Sequence, residues 1–193
     1  MAAEIGAPVA LKADFAAPAH ASDIDAVLLG LKGEQAVRSC WRELQRRVHA
    51  AGREWTGAII QRLIAPGGTD VLVGAISDPD LGPVLAVGRG GRRAGLGQTA
   101  AFRLLPVTDA EADELIDSAE SVATELDGFR GSALLDRAAL RELILRFALL
   151  LLEVPEMVEA DLNAVRCMPH GCVVLDMRLR IEHRRPVERV KTW

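Results

Sequence analysis

Tyrosine is absent from this sequence, and aromatic residues make up only 4% of it. Single-stranded nucleic acid is held on aromatic stacking platforms, so their scarcity argues against that class of binder. Cationic excess is lacking too. Against 27 Asp and Glu stand 23 Lys and Arg, and the net charge of −4 gives no general attraction to nucleic acid or to an anionic membrane. No apolar run is long enough to cross a bilayer, which takes about 20 residues. The longest, Phe147–Leu152, reads as a buried helix end. Cysteine is sparse: Cys40, Cys167 and Cys172 come with no secretory leader pattern, so a reduced cytoplasm is the expected setting. Cys167, His170 and Cys172 suggest a zinc knuckle, but a fourth ligand at suitable spacing is missing.

What is present is a globular composition. Half of the 193 residues are apolar, enough for a real core in one large domain or two small ones. The stretch Met157–Ile181 carries the densest chemistry. It reads as two strands around the turn Pro169-His170-Gly171. Glu159, Asp161 and Asn163 alternate with apolar or small residues, which puts them on one face of the first strand. With Met168–Gly171 as the loop, Cys167 faces Cys172, and the same antiparallel register sets Asn163 opposite Asp176. Opposed residues have Cβ atoms roughly 4.5–5.5 Å apart. An amide oxygen and a carboxylate at that spacing, with Asp161 beside them, form an all-oxygen pocket suited to Mg²⁺. The alternative is a half-exposed hairpin with polar residues on its wet face.

Along the chain, Met1–Ile5 reads as a last helical turn, broken by Gly6-Ala7-Pro8 before a strand Val9–Lys12. A domain that opens on a helix end lacks its packing partner, so the expectation is a start further upstream or a second chain supplying that layer. Lys12 closes an otherwise apolar strand, from which a lysine either reaches nucleotide phosphates as a point charge or is merely solvated. His20 lies in an Ala- and Pro-rich loop, and Val27–Leu31 is a second strand. The helix from Gly33 to about His49 has Val37, Cys40, Trp41, Leu44 and Val48 on one stripe, with Arg38, Arg42, Arg46 and Arg47 mainly off it as a solvated face. A β-meander follows: Thr56–Ile64, Asp70–Ser77 and Val84–Val87, with turns at Ala65-Pro66-Gly67-Gly68 and Asp78–Pro83. The run GRGGRRAGLG (88–97) could cradle phosphate through backbone N–H groups, but lacks the strand-to-helix setting of a dinucleotide turn or P-loop. Ala101–Leu105 is a strand. Thr108-Asp109-Ala110-Glu111 has the capping-box pattern that opens a helix. A long helix to about Glu153 presents Leu140, Leu143, Ile144, Phe147 and Leu151 on one face, and Pro155 ends it. Beyond Ile181 the chain is a charged tail.

Taken in order, IGAPVALK, HASDIDAVLLGL, IIQRLIAPGGTDVLVGAISDPDLGPVLAVGRGG, AAFRLLPV and VEADLNAV…VVLDMRLRI resemble the ATP-grasp domain of NDP-forming acyl-CoA synthetases, the relatives of succinyl-CoA synthetase β subunits. The resemblance runs from near residue 5 to near residue 181. It implies an α+β fold of mixed, largely antiparallel sheets with packed helices. It also implies a partial ATP-grasp domain over residues 1–181 (1–55 a remnant of the N-terminal subdomain, 56–181 the C-terminal one) and a tail, 182–193. The implied activity is that of an acid–thiol ligase using Mg-ATP, lying between the Lys12 side and the hairpin, through a phospho-enzyme or acyl phosphate. By position, Lys12 reaches the ATP phosphates, Gln61 and Leu63 form the hinge against adenine, Asp70 stands where a Glu binds the ribose or adenine end, Asn163 and Asp176 are the Mg²⁺ ligands, and His20 is the phosphoryl relay.

Departures accompany these matches. Ala21 replaces the lysine after the family's histidine, and Asp25 and Ala26 replace paired glycines. Gly95 and Thr99 stand where a Glu and an Asp are expected, and Ala164 replaces the proline after the metal-ligand asparagine. Loss of an acidic pair removes charge that phosphoryl transfer could use. Arg89, Arg92 and Arg93 either take up phosphate oxygens or mark lost catalytic constraint. Two functions therefore stand side by side: an ATP-binding subunit whose CoA-binding and ligase parts lie on another chain, and a degenerate module acting in interaction or regulation.

Overall fold

The computed structural model describes residues 5, 8–15, 25–91 and 100–183. The chain divides into two compact units, Met1–Pro66 and Gly67–Trp193. In the first, β1 (Val9–Phe15) lies between β2 (Val27–Leu31) and β3 (Trp55–Arg62), antiparallel to both. Helix α1 (Gly33–Ala50) covers one face of this sheet, where Leu44 and Val48 pack on Leu11 and Ala13 of β1. The expected stripe holds at Val37, Leu44 and Val48, all buried. Trp41 differs: it sits at the rim, 37% exposed, edge-on to Trp55 with ring centroids 5.2 Å apart. Three of the arginines off the stripe are tied to their own helix, Arg38 to Glu34 and both Arg46 and Arg47 to Glu43. Exposed pairs of this kind add little to the stability of a helix. The strand expected to open a β-meander with the two strands after it instead pairs with β1: β3 completes the sheet of the first unit, and only the two later strands form a hairpin with each other.

The second unit is a six-stranded antiparallel sheet covered on one face by helices. Its order is β6 (Ala101–Leu104), β5 (Gly82–Arg89), β4 (Thr69–Asp78), β7 (Met157–Cys167), β8 (Cys172–Val174), with β9 (Arg178–Ile181) also paired to β7. The covering helices are α2 (Asp109–Ser118), α3 (Glu120–Leu126) and α4 (Arg137–Glu153). Thr108 caps α2 with the full reciprocal box to Glu111, and Asp136 caps α4 by accepting the Ala139 N–H. Val71, Val73, Leu85 and Val87 of the strands meet Leu115, Ile116, Leu140, Ile144 and Phe147 of the helices in one core. The end of α4 corrects a sequence expectation. Phe147, Ala148 and Leu151 are buried, but Leu149 and Leu150 point outward, 58% and 43% exposed. A helix laid on a sheet buries one stripe, so consecutive leucines cannot all turn inward.

A bulge organises the centre of this sheet. Between Val71 and Leu72 of β4, the partner residue on β7 jumps from Val165 to Asn163, and Asn163 and Ala164 are joined by a cis peptide. Asp161 and Asn163 therefore face away from the helices, as does Arg166 beyond the bulge, whereas Leu162, Val165 and Cys167 join the core.

Candidate functional site

On the first unit, the residues singled out from sequence come to one face. Lys12 is opposite Ile59 on β3 and Val27 on β2, and Ala10 is opposite Gln61. Leu11 and Ala13 point toward α1, so by strand alternation Lys12 lies on the uncovered face. Ile59, 49% exposed, is on that face, and Gln61 follows two residues along. The Leu63 N–H donates to Pro8 O at 2.9 Å, which carries the register one step beyond β3 and adds Leu63 to the same side. Lys12, Gln61 and Leu63 are all half-buried. A half-buried lysine rests its aliphatic stem on its neighbours and carries its charge at the tip. His20 and Ala21 lie outside the described residues.

On the second unit, Asp70, Leu72, Gly74 and Ile76 of β4 form the uncovered side, opposite Arg166, Asn163, Asp161 and Glu159 of β7. Asp70 is held by Arg166 through two parallel bonds, Nε to Oδ1 at 2.8 Å and Nη2 to Oδ2 at 3.0 Å, with both side chains mostly buried. That fork geometry is the strong form of a charge-assisted pair. The expected ribose or adenine ligand thus has both oxygens engaged within the protein. Arg166 carried no sequence signal, because only the bulge at Asn163–Ala164 moves it onto this face.

The glycine-rich run closes on the same surface. Gly90 N–H donates to Asp70 O at 2.8 Å, and Gly91 N–H donates to Asn163 Oδ1 at 2.8 Å. A Cβ at Gly90 would stand 2.5 Å from the Val71 carbonyl carbon, so only glycine allows this approach. Two of the amides expected to cradle phosphate are consequently spent on the protein. Arg89 is paired with Glu125 of α3, and Glu125 also accepts from the Thr69 hydroxyl. The charge attributed to Arg89 is neutralised at home. Arg92, Arg93, Gly95 and Thr99 lie outside the described residues.

The hairpin pairs as the alternation predicts, with Cys167 opposite Cys172 and Val165 opposite Val174. The ladder stops there, but Leu175 N–H still donates to Ala164 O at 2.8 Å. The same register continued one step sets Asp176 level with Asn163, in the break between β8 and β9. Both residues are half-buried. Among the described residues no three of His, Cys, Asp and Glu gather as a metal cage. The donor set nevertheless fits Mg²⁺, which favours oxygen ligands and is commonly held by one or two carboxylates plus substrate phosphates. Asn163 Oδ1 keeps a second lone pair after accepting from Gly91, and Asp176 supplies the carboxylate.

Comparison with known proteins agrees with this architecture. The family described as ATP-grasp domain matches residues 1–181. The chain is 31% identical over 178 residues to the β subunit of acetate–CoA ligase (ADP-forming) I from Pyrococcus furiosus, covering 91% of this chain and 76% of that subunit. It is 33% identical over 183 residues to acetate–CoA ligase (ADP-forming) I of Archaeoglobus fulgidus, covering 93% of this chain, but it spans only 26% of that enzyme. Among solved structures it matches the dinucleotide-forming acetyl-coenzyme A synthetase 1 of Ca. Korarchaeum cryptofilum in complex with coenzyme A and Mg-AMPPCP. The TM-score is 0.79 at 30% identity, over 94% of this chain and 79% of that one. Antiparallel sheets, their helical cover and these matches lead to one assignment: the chain belongs to the ATP-grasp family and is homologous to the ATP-grasp domains of NDP-forming acyl-CoA synthetases.

Proposed function

We propose that this chain is the ATP-binding subunit, or part, of an NDP-forming acyl-CoA synthetase. The observation that carries the reading is the alternation along β7 that turns Asn163 onto the uncovered face, with Asp176 level with it in the continued β7–β8 register. Asn163 and Asp176 would hold Mg²⁺, which when bound neutralises phosphate charge and orients the nucleotide. Lys12 places its ammonium on the phosphates as the γ-phosphoryl moves in line to its acceptor. Gln61 and Leu63 pack against the adenine. His20 accepts the phosphoryl group and relays it toward the acyl-CoA chemistry. The Korarchaeum relative supports this role, since its phosphohistidine segment is described as pointing towards the nucleotide-binding site. The CoA-binding and ligase parts reside on another chain, in keeping with the Pyrococcus relative's being itself a β subunit. The setting is cytoplasmic. Among the described residues no helix is long and apolar enough to cross a membrane.

A second reading, a degenerate ATP-grasp module with an interaction or regulatory role, is favoured by one specific feature. Asp70 is locked by Arg166, and the loop amide of Gly91 is closed onto Asn163. Titration of ATP into the purified chain, with and without Mg²⁺, separates the two. Mg²⁺-dependent heat that Asp176→Ala abolishes supports the nucleotide-binding subunit. A flat titration with folded wild-type protein leaves the degenerate module.

A further inference from the structure

The turn end of the β7–β8 hairpin carries chemistry that phosphoryl transfer does not use. Cys167 and Cys172 are directly opposed, with their sulfurs 3.2 Å apart. The neighbouring pair is hydrogen-bonded, Met168 N–H to Gly171 O at 3.0 Å, so alternation makes the cysteines a non-hydrogen-bonded pair. Such pairs have Cα atoms about 4.5 Å apart, within the 4.4–6.8 Å that a disulfide spans. A disulfide bond of about 2.0 Å therefore requires the sulfurs to close by roughly 1 Å, a side-chain rotation without strand movement.

The surrounding backbone is pinned. Asp136 accepts N–H bonds from Ala139 and Gly171, both at 2.9 Å, and its own N–H donates to Met168 O at 2.8 Å. On the other side, Gly68 presses so closely that a Cβ there would overlap Cys167 O. Accessibility is asymmetric: Cys167 is wholly buried and Cys172 is half-buried.

We propose that Cys167 and Cys172 form a thiol–disulfide exchange site, oxidised to a reversible cross-strand disulfide by a low-molecular-weight disulfide. The Cys172 thiolate attacks one sulfur of the small disulfide, whose S–S bond breaks and releases one thiolate. Cys167 then loses its proton and attacks Cys172 Sγ, breaking the mixed disulfide and releasing the second thiolate. Two protein thiols are oxidised, one small disulfide is reduced to two thiols, and the two protein protons end on those thiols. Contact with Cys167 holds the Cys172 thiol below its ordinary value, and contact with Cys172 together with burial pushes Cys167 up. The more accessible cysteine, Cys172, is thus the attacking group and the buried one resolves. The exchange does not depend on a metal or nucleotide at Asn163 and Asp176, so the two readings fail separately.

The test is incubation of the full chain with oxidised glutathione, followed by denaturing alkylation and mass spectrometry. Wild type is expected to lose two hydrogens, leave only Cys40 open to alkylation, and regain all three thiols with dithiothreitol. Cys167→Ser should stop at a glutathione adduct on Cys172, and Cys172→Ser should give no adduct at Cys167. Should either variant fail to fold, Cys40→Ser decides, because it must still form the same disulfide. Three alkylated thiols in oxidised wild type, or a glutathione adduct that never resolves, would overturn the proposal.

Discussion

The two units present uncovered sheet faces that are built in different ways. Among the described residues the first is a three-stranded sheet under a single helix, with a small core around Leu11, Leu44 and Val48, and its uncovered face carries Lys12. The second, again among the described residues, is a six-stranded sheet under three helices, and its polar face is cross-braced by Asp70–Arg166 and Gly91–Asn163. The difference follows from what each kind of group needs. A lysine acts as a point charge and tolerates several positions. Oxygen donors serve a metal only when their orientation is held by neighbouring hydrogen bonds. The bonds Asp70–Arg166 and Gly91–Asn163 brace in this way the face that carries Asn163.

The sharpest way to break that contrast is Gly68→Ala. Its φ of +75° and the overlap of any Cβ with Cys167 O at 1.9 Å leave no accommodation without shifting β7. A loss of about 3–4 kcal/mol is expected for the second unit, read from urea unfolding. Gly52→Ala, at a similar φ of +68° in open space, should cost only about 1–2 kcal/mol. Similar losses at the two glycines would deny the close packing claimed for this strand.

Core truncation sharpens the comparison next. Leu44→Ala and Ile144→Ala each remove a side chain with 0% exposure, at a cost of about 2–5 kcal/mol. A unit of 66 residues has little stability to lose. Hydrogen exchange should therefore show the first unit opening in Leu44→Ala while β4, β5 and β7 stay protected. Protection should persist globally, at reduced strength, in Ile144→Ala. Loss of protection throughout the chain in Leu44→Ala would mean the two units unfold as one.

Arg166→Met should cost about 1–3 kcal/mol, because it leaves the mostly buried Asp70 carboxylate unpaired. In a double-mutant cycle with Asp70→Asn, additive losses would show that the bidentate pair does not brace this face.

The smallest effect is a pH slope at the hairpin turn. Hydrogen bonds from Ala139 N–H and then Gly171 N–H hold the Asp136 carboxyl below its ordinary value of 3.8. A carboxyl depressed on folding contributes stability that is present above its unfolded value and is lost as pH falls through the folded one. Thermal melts should accordingly show wild type losing stability more steeply than Asp136→Asn as pH drops below about 4. Parallel curves would remove this turn from the bracing.

Local pattern alone determined a large part of this molecule. The capping box at Thr108, the stripe of α4, the β4–β5 hairpin and the Cys167–Cys172 register were legible because each depends on spacing within one or two adjacent segments. So was the alternation that places Asp161 and Asn163 on a common face, and the ordered motifs identified the ATP-grasp family. Tertiary structure alone decided the rest. Whether Leu149 and Leu150 lie in or out depends on how α4 sits over the sheet. The pairing of Arg166 with Asp70 depends on one extra residue in β7, which reverses the side-chain phase beyond Asn163 without changing the composition of the strand. Glu125 reaches Thr69 and Arg89 only because α3 packs over β4 and β5. Periodicity reports which side of an element a residue occupies; a bulge or a contact distant in sequence changes what that side meets, and neither is written in the spacing.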